Sequence, residues 1–138
     1  MNISIRPYRE GDQQSVLDLW DRVFPGSPPH NNPVRDLRTR NEIQPELFLV
    51  AIKDGMIVGT VMAGCDEQQG WIYYLGVDPD FRRQGIGTRL MKRVESTLIG
   101  LGCKELHFQI WAHKAEVQTF YETLGYIAED RLGMWKEF

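Results

Sequence analysis

The chain has 138 residues, of which 42% are hydrophobic and 25% are charged. A chain of this length buries roughly two thirds of the surface that it exposes when unfolded, so we expect one hydrophobic core and a single domain over residues 1–138. The net charge of -3 argues against nucleic acid as the main partner, because binding to a phosphate backbone needs a concentrated basic surface.

The two cysteines, Cys65 and Cys103, are too few for a disulfide scaffold, and neither lies in a metal-binding pattern. We therefore predict two free thiols and no metal site. The N-terminus lacks a hydrophobic signal region, and no apolar run approaches the roughly 18 residues of a membrane helix. These features predict a cytoplasmic protein without a membrane partner.

The first predicted elements are a strand and a helix. Ile3 and Ile5 alternate with a polar residue as in a strand, and Asp12 is the predicted cap of the helix that follows. That helix has a broad apolar stripe formed by Val16, Leu17, Leu19, Trp20 and Val23. Residues 25–33 are rich in proline, which predicts a loop before a short helix over residues 33–42.

A β-hairpin is predicted next. Residues 47–52 and 56–62 are apolar, β-branched runs on either side of Lys53-Asp54-Gly55, a typical hairpin turn. After a polar turn, residues 71–77 have the composition of a further strand.

Helices and strands alternate in the second half of the chain. Residues 85–100 have the apolar spacing of a helix, and residues 104–111 alternate as a strand. A further helix ends at Gly125, because glycine readily takes the left-handed conformation that follows a helix. We expect a closing hairpin from residues 126–127 and 132–135.

The segment between strand 71–77 and helix 85–100 is basic and rich in glycine. Residues 82–88 read Arg-Arg-Gln-Gly-Ile-Gly-Thr, and Arg89 follows. Two glycines leave the first N–H groups of the helix uncovered by side chains, so a pyrophosphate oxygen can bind at the positive end of the helix dipole.

Spacing excludes two of three phosphate-binding designs for this segment. A Walker A loop needs Gly-x-x-x-x-Gly-Lys-Ser/Thr, which the chain lacks, and a dinucleotide fingerprint needs a third glycine where Leu90 stands. The remaining pattern is Arg/Gln-x-x-Gly-x-Gly/Ala at residues 82–87. It resembles the acetyl-CoA signature of the GNAT N-acetyltransferases.

A second resemblance lies at residues 119–126, Thr-Phe-Tyr-Glu-Thr-Leu-Gly-Tyr, which are similar to the ending of the last helix in this family. The family's matching tyrosine commonly serves as general acid and protonates the departing thiolate of CoA, which implies that role for Tyr121. The alternative interpretation is an amphipathic core tyrosine whose hydroxyl reaches the surface. The order of the predicted elements is also that of the family, so the resemblance covers almost the whole chain.

The resemblance implies an α/β (α+β) fold, the GNAT fold, in which about four helices flank a central mixed sheet of about six to seven strands. Two parallel strands splay apart there, and the pantetheine of acetyl-CoA lies in the gap. The implied wall is strand 71–77. The implied cofactor-binding residues are Leu75, Gly76, Val77, Arg82, Arg83, Gln84, Gly85, Ile86, Gly87 and Thr88.

The implied function is transfer of the acetyl group of acetyl-CoA to a primary amine by direct attack. RimI-type relatives carry a glutamate as base where this chain has Gln109, and glutamine cannot take a proton. The alternatives are deprotonation through ordered water, His113 as the base, or a weakly basic amine that arrives already partly neutral. The second hypothesis, motivated by Gln109, is a regulatory module that binds acetyl-CoA with little or no catalysis.

The acceptor site is expected in the loop after the first helix, because members of the family differ there. His30, Asn31 and Asn32 are the candidate lining residues. Arg35, Arg38 and Arg40 either attract a carboxylate of the substrate or form a solvated helix face. The acceptor, a small-molecule amine or amino acid, or the N-terminus or a lysine of a peptide or protein, stays open. So does the oligomeric state, a homodimer included.

Overall fold

The structure is a computed structural model that describes residues 3–24, 45–110 and 115–138. The predicted proline-rich loop, the predicted helix 33–42 and the candidate acceptor residues fall in 25–44, outside the described residues. His113 also lies outside them. The chain divides into two compact units, residues 1–108 and 109–138, and each is described by itself. The single domain over residues 1–138 stays a prediction.

The first unit contains a mixed sheet of five strands, which lie side by side in chain order. The strands are β1 (Ile3–Pro7), β2 (Phe48–Lys53), β3 (Met56–Asp66), β4 (Gln69–Val77) and β5 (Glu105–His107). The first four pair antiparallel, whereas β4 and β5 pair parallel.

Both hairpins of the sheet turn on residues with positive φ. Asp54 and Gly55, at φ 53° and 78°, join β2 to β3, which confirms the predicted hairpin. The second hairpin is tighter than predicted, because Asp66 already pairs with Gln69 and only two residues turn the chain. Strand β4 therefore begins two residues before the predicted residue 71.

Helices α1 (Gln13–Val23) and α2 (Ile86–Gly100) cover opposite faces of this sheet. Trp20 of α1 donates from Nε1 to Thr60 on β3, whereas a Cβ added to the adjacent Gly59 would lie 3.1 Å from Leu90 of α2. Neighbouring residues of a strand point to opposite faces, so each helix has its own side. Both helices bury residues of their predicted apolar stripes, among them Val16, Leu19, Trp20, Ile86, Leu90, Val94 and Leu98.

Asp12 precedes α1 but makes no side-chain cap for it, which corrects the prediction. Its buried carboxylate instead accepts from the Arg6 guanidinium at 2.6 and 2.9 Å and from the backbone N–H of Arg9 at 3.0 Å. The hydrogen bonds from Arg6 lower the pKa of Asp12 below its ordinary value. A charged bidentate partner on β1 outcompetes a neutral backbone N–H of the helix.

The second unit contains helix α3 (Ala115–Thr123), and Gly125 follows it at φ 97°, as its predicted role after a helix requires. Residues 126–138 carry no strand, so the predicted closing hairpin is wrong. Leu132, Met134 and Trp135 are apolar, but a strand also needs a partner backbone, and the described residues of this unit contain no strand.

The predicted numbers of elements are likewise corrected. The described residues form five strands and three α-helices instead of about six to seven strands and four helices. The last strand of the sheet, Glu105–His107, is also shorter than the predicted 104–111. In the ranges that the structure describes, no helix has the length and apolar character needed to cross a membrane.

Candidate active site

Strand β4 extends beyond the end of β5, its parallel neighbour. The ladder between them joins Gln69 to Glu105 and ends at Trp71 and His107, whereas β4 continues to Val77. Within the described residues, β5 offers no partner to the end of β4. An open strand edge of this kind can bind an extended ligand through backbone hydrogen bonds.

The backbone of Val77 faces that open edge. The N–H of Asp78 donates to Val58 O at 2.8 Å, so residue 78 turns its backbone groups toward β3. Backbone groups alternate between the two edges of a strand, so those of Val77 point away from β3. Its carbonyl accepts from Arg82 Nε at 3.3 Å.

A bulge interrupts β4 just before this point. Thr60 pairs with Gly76 and Met62 pairs with Tyr73, so Tyr74 and Leu75 together stand opposite the single residue Val61. Tyr74 has a φ of 52°, which is uncommon for a residue other than glycine. No sequence pattern predicted this bulge.

Gly76 is needed for the packing of α1. A Cβ at this position would lie 2.7 Å from Val23 Cγ1 and 2.8 Å from Phe24 Cζ. Any side chain would push the end of α1 away from β4. The close neighbours of Gly76 are therefore at the end of α1, which packs on one face of β4. Strand β4 is the element that the sequence resemblance implied as the wall of the acetyl-CoA site.

The segment after β4 forms a short 3-10 helix, Pro79–Phe81, and a turn into α2. Arg83 and Gly85 both have positive φ, at 63° and 76°. Turns with left-handed residues bring backbone N–H groups together into an anion-binding concavity. A Cβ at Gly85 would meet no described atom within 4 Å, so this side of the turn is open.

The first turn of α2 contains Ile86, Gly87 and Thr88, whose N–H groups have no acceptor within the helix. The side chain of Ile86 is fully buried in the core, so only its backbone can contact a ligand. Helix bonding begins with Arg89, whose N–H donates to Gly85 O at 3.0 Å.

Cations near this turn differ from those that the sequence indicated. Arg82 and Arg83 are exposed, but Arg89 donates from Nη1 to Ile3 O of β1 at 2.9 Å and serves the packing of β1. Lys53, at the end of β2, lies 2.5 Å from Gln84 Oε1 and 5.5 Å from the centre of the Phe81 ring. Sequence reasoning missed Lys53, because its position in a hairpin turn has no link to a segment 31 residues later.

Tyr121 lies in the second unit, on α3. Its half-buried ring contacts Phe120 and Tyr126 edge to face, with centroids 5.1 and 5.9 Å away. Burial raises the pKa of Tyr121 to about 12, so the phenol is protonated near neutral pH and can donate a proton. Gln109 of the same unit has an exposed side chain.

Comparisons with known proteins identify the family of the chain. A model of the acetyltransferase (GNAT) family matches residues 14–126. A protein of Pectobacterium atrosepticum, strain SCRI 1043, that is named an acetyltransferase is 40% identical over 134 residues, which is 97% of this chain and 94% of that protein.

Two solved structures have the same fold. AAC(6')-Iy in complex with a bisubstrate analogue superposes with a TM-score of 0.81 at 19% identity, over 100% of this chain and 99% of that chain. The ribosomal-protein-S18-alanine N-acetyltransferase from Escherichia coli gives a TM-score of 0.73 at 20% identity, over 90% and 77%. Since the family model covers most of the chain and the Pectobacterium relative matches it almost from end to end, the chain belongs to the GNAT family of acetyltransferases, enzymes that depend on acetyl-CoA.

Proposed function

We propose that this protein transfers the acetyl group of acetyl-CoA to a primary amine by direct attack of the amine. The observation that carries the proposal is the continuity of an open strand edge with an anion-binding turn. Strand β4 runs past its last partner on β5, and the turn with Arg83 and Gly85 in left-handed conformation follows.

The turn is the proposed site for the pyrophosphate. Its open space at Gly85, the N–H groups of the first turn of α2 and the exposed Arg82 and Arg83 suit a ligand with several negative oxygens. Lys53 adds a further cation through its contact with Gln84. The proposed pyrophosphate site therefore consists of residues 82–88, with Lys53 beside them.

The open edge of β4 is the proposed site for the pantetheine arm. Leu75 and Val77 would bond to its amides from the backbone, in the way that an added strand bonds to a sheet edge. The thioester of acetyl-CoA supplies an activated acetyl group. The N–H of Val77 is the candidate donor to the carbonyl oxygen on which charge develops.

Tyr121 is the proposed general acid for the thiolate that leaves, supported by a pKa of about 12 that keeps its proton in place. Gln109 offers no basic group for the proton of the amine. We assign that proton to water in contact with the acceptor, so the amine must lose it without a carboxylate.

The acceptor itself remains a primary amine of unassigned identity. Fold relatives include AAC(6')-Iy, solved with a monomethyl-acetylneamine analogue, and an enzyme named for alanine of ribosomal protein S18. His30, Asn31 and Asn32 remain the proposed lining of the acceptor site. We further propose that the reaction takes place in the cytoplasm without nucleic acid, and that size-exclusion chromatography with light scattering will decide between monomer and homodimer.

An assay of CoA release tests the proposed function. The wild-type protein is incubated with acetyl-CoA and panels of free amino acids, polyamines, aminoglycosides and peptides, and free thiol is measured. We expect thiol release that depends on one class of amine, with acetylated product of matching mass. Tight binding of acetyl-CoA without turnover on any amine would instead favour the regulatory module, and absence of binding would contradict both.

A further inference from the structure

We infer that Thr60 is a positioning residue whose buried hydroxyl holds the bulge of β4 in the shape that acetyl-CoA binding requires. The inference rests on the proposed function, in which the end of β4 binds the pantetheine arm. Thr60 itself lies on the neighbouring strand β3 and is fully buried.

The hydroxyl of Thr60 connects α1 to β4. It accepts a hydrogen bond from Trp20 Nε1 at 2.9 Å and donates its own proton to the carbonyl of Tyr74, also at 2.9 Å. The indole can only donate and the carbonyl can only accept, so the hydroxyl has one defined orientation. Hydrogen bonds in such a chain polarise and strengthen one another.

Tyr74 needs this support because of its backbone. A φ of 52° is unfavourable for a residue with a Cβ, and such residues persist only where their surroundings hold them. The Tyr74 ring stacks on Trp20, with centroids 4.1 Å apart and planes 14° apart. Trp20 therefore holds the ring of Tyr74 directly and its carbonyl through Thr60.

The bulge decides which backbone groups reach the open edge. Two residues of β4, Tyr74 and Leu75, stand opposite one residue of β3. Because backbone groups alternate along a strand, removing the extra residue would reverse the direction of the groups that follow it. The N–H and C=O of Val77 would then no longer point to the acetyl-CoA side. Loss of the Thr60 hydroxyl should therefore weaken acetyl-CoA binding, although Thr60 is not itself one of the proposed binding residues.

The test compares three variants. Thr60→Val keeps the shape and removes the hydroxyl, Thr60→Ser keeps the hydroxyl, and Val50→Ala is the control. Val50 is buried, pairs with Thr60 from the β2 side and packs in the same cluster as Trp20, so its truncation loosens this part of the core while the hydrogen bonds of the Thr60 hydroxyl stay in place. The readouts are acetyl-CoA affinity, kcat/KM, thermal stability and hydrogen exchange of the backbone amides.

We expect Thr60→Val to lower kcat/KM for acetyl-CoA by about 100-fold, as displaced reacting groups do. Hydrogen exchange of the backbone amides in this variant should rise selectively over residues 74–77. The kcat/KM of Thr60→Ser should lie within a few-fold of the wild-type value. If Thr60→Val and Val50→Ala lose affinity in proportion to their loss of stability, with exchange rising evenly through the sheet, Thr60 is only a core residue.

A measurement on the wild-type protein covers the case in which Thr60→Val fails to fold. The indole N–H of Trp20 should exchange slowly with solvent, and exchange at the rate of an unprotected indole would overturn the inference. The proposed function fails separately, if the wild type binds no acetyl-CoA while the exchange pattern of residues 74–77 still depends on the Thr60 hydroxyl.

Discussion

Arg22 Nη2, on the last turn of α1, lies 2.7 Å from Oδ2 of Asp78, the residue that follows β4. The carboxylate of Asp78 is buried, and its other oxygen accepts from the N–H of Asp80 at 3.0 Å. The Asp78 side chain thus caps the 3-10 helix that leads to the turn, and it also connects this helix to α1. The same end of α1 packs Val23 and Phe24 against Gly76.

This pair predicts a measurable coupling between α1 and the turn. Replacing Asp78 by Asn should lower the free energy of unfolding by about 1–2 kcal/mol, because a hydrogen bond to a charged group is lost while Asn can still accept from Asp80. Urea denaturation of Asp78→Asn, Arg22→Gln and the double variant measures it. Strictly additive effects of the two substitutions would show that the two side chains do not stabilise each other.

Charge at Gly85 should decide acetyl-CoA affinity. Gly85→Asp and Gly85→Asn impose the same shape on a residue with a φ of 76°, and only Asp adds a negative charge where the pyrophosphate is proposed to bind. We expect calorimetry to show a dissociation constant at least about tenfold higher for Asp than for Asn, since a like charge at close range opposes the ligand.

Gly11→Asp is the control for overall charge, because a Cβ at Gly11 meets no described atom within 4 Å and Gly11 precedes α1, on a different element from the turn. It should leave the affinity at the wild-type value. Equal affinities of the two Gly85 variants would remove the pyrophosphate from this turn.

Tyr121→Phe should lower kcat by about 10²–10⁴, the usual loss when a general acid is removed, while CoA binding persists. Because the pKa of Tyr121 is about 12, we expect no loss of its acid function between pH 6 and about 10. Stopped-flow thiol release under conditions where chemistry limits the rate measures both. Tyr126→Phe removes a hydroxyl from the same ring cluster and should retain its kcat; full turnover of Tyr121→Phe would make Tyr121 structural.

Asp12 should make the free energy of unfolding depend on pH in the acidic range. Its pKa is lowered in the folded protein, so its stabilising effect is complete above the unfolded pKa of about 4 and is lost as the pH falls through the folded pKa. Asp12→Asn should cost about 1–3 kcal/mol at pH 7 and progressively less below pH 4. Denaturation curves from about pH 7 down to pH values below about 4, the unfolded pKa, check this. A constant difference across that range would contradict the role of Arg6.

Local sequence was sufficient for several parts of this protein. Lys53-Asp54-Gly55 predicts a hairpin turn because Asp and Gly tolerate positive φ, and the spacing of apolar residues in α1 and α2 predicts which sides are buried. The motif at residues 82–87 and the residues around Tyr121 indicated the acetyltransferase family, which the comparisons established. These signals lie within a few consecutive residues, where backbone preference and periodicity act.

Tertiary structure decided the rest. The bulge at Tyr74 depends on Trp20 and Thr60, which are 40 residues apart in the chain, and Arg89 finds its acceptor on β1, 86 residues away. The predicted closing strands failed for the same reason, since the apolar residues Leu132, Met134 and Trp135 do not specify a partner strand. Hydrogen-bond partners distant in sequence leave no local pattern, because each residue type is compatible with many partners until the fold brings one of them within reach.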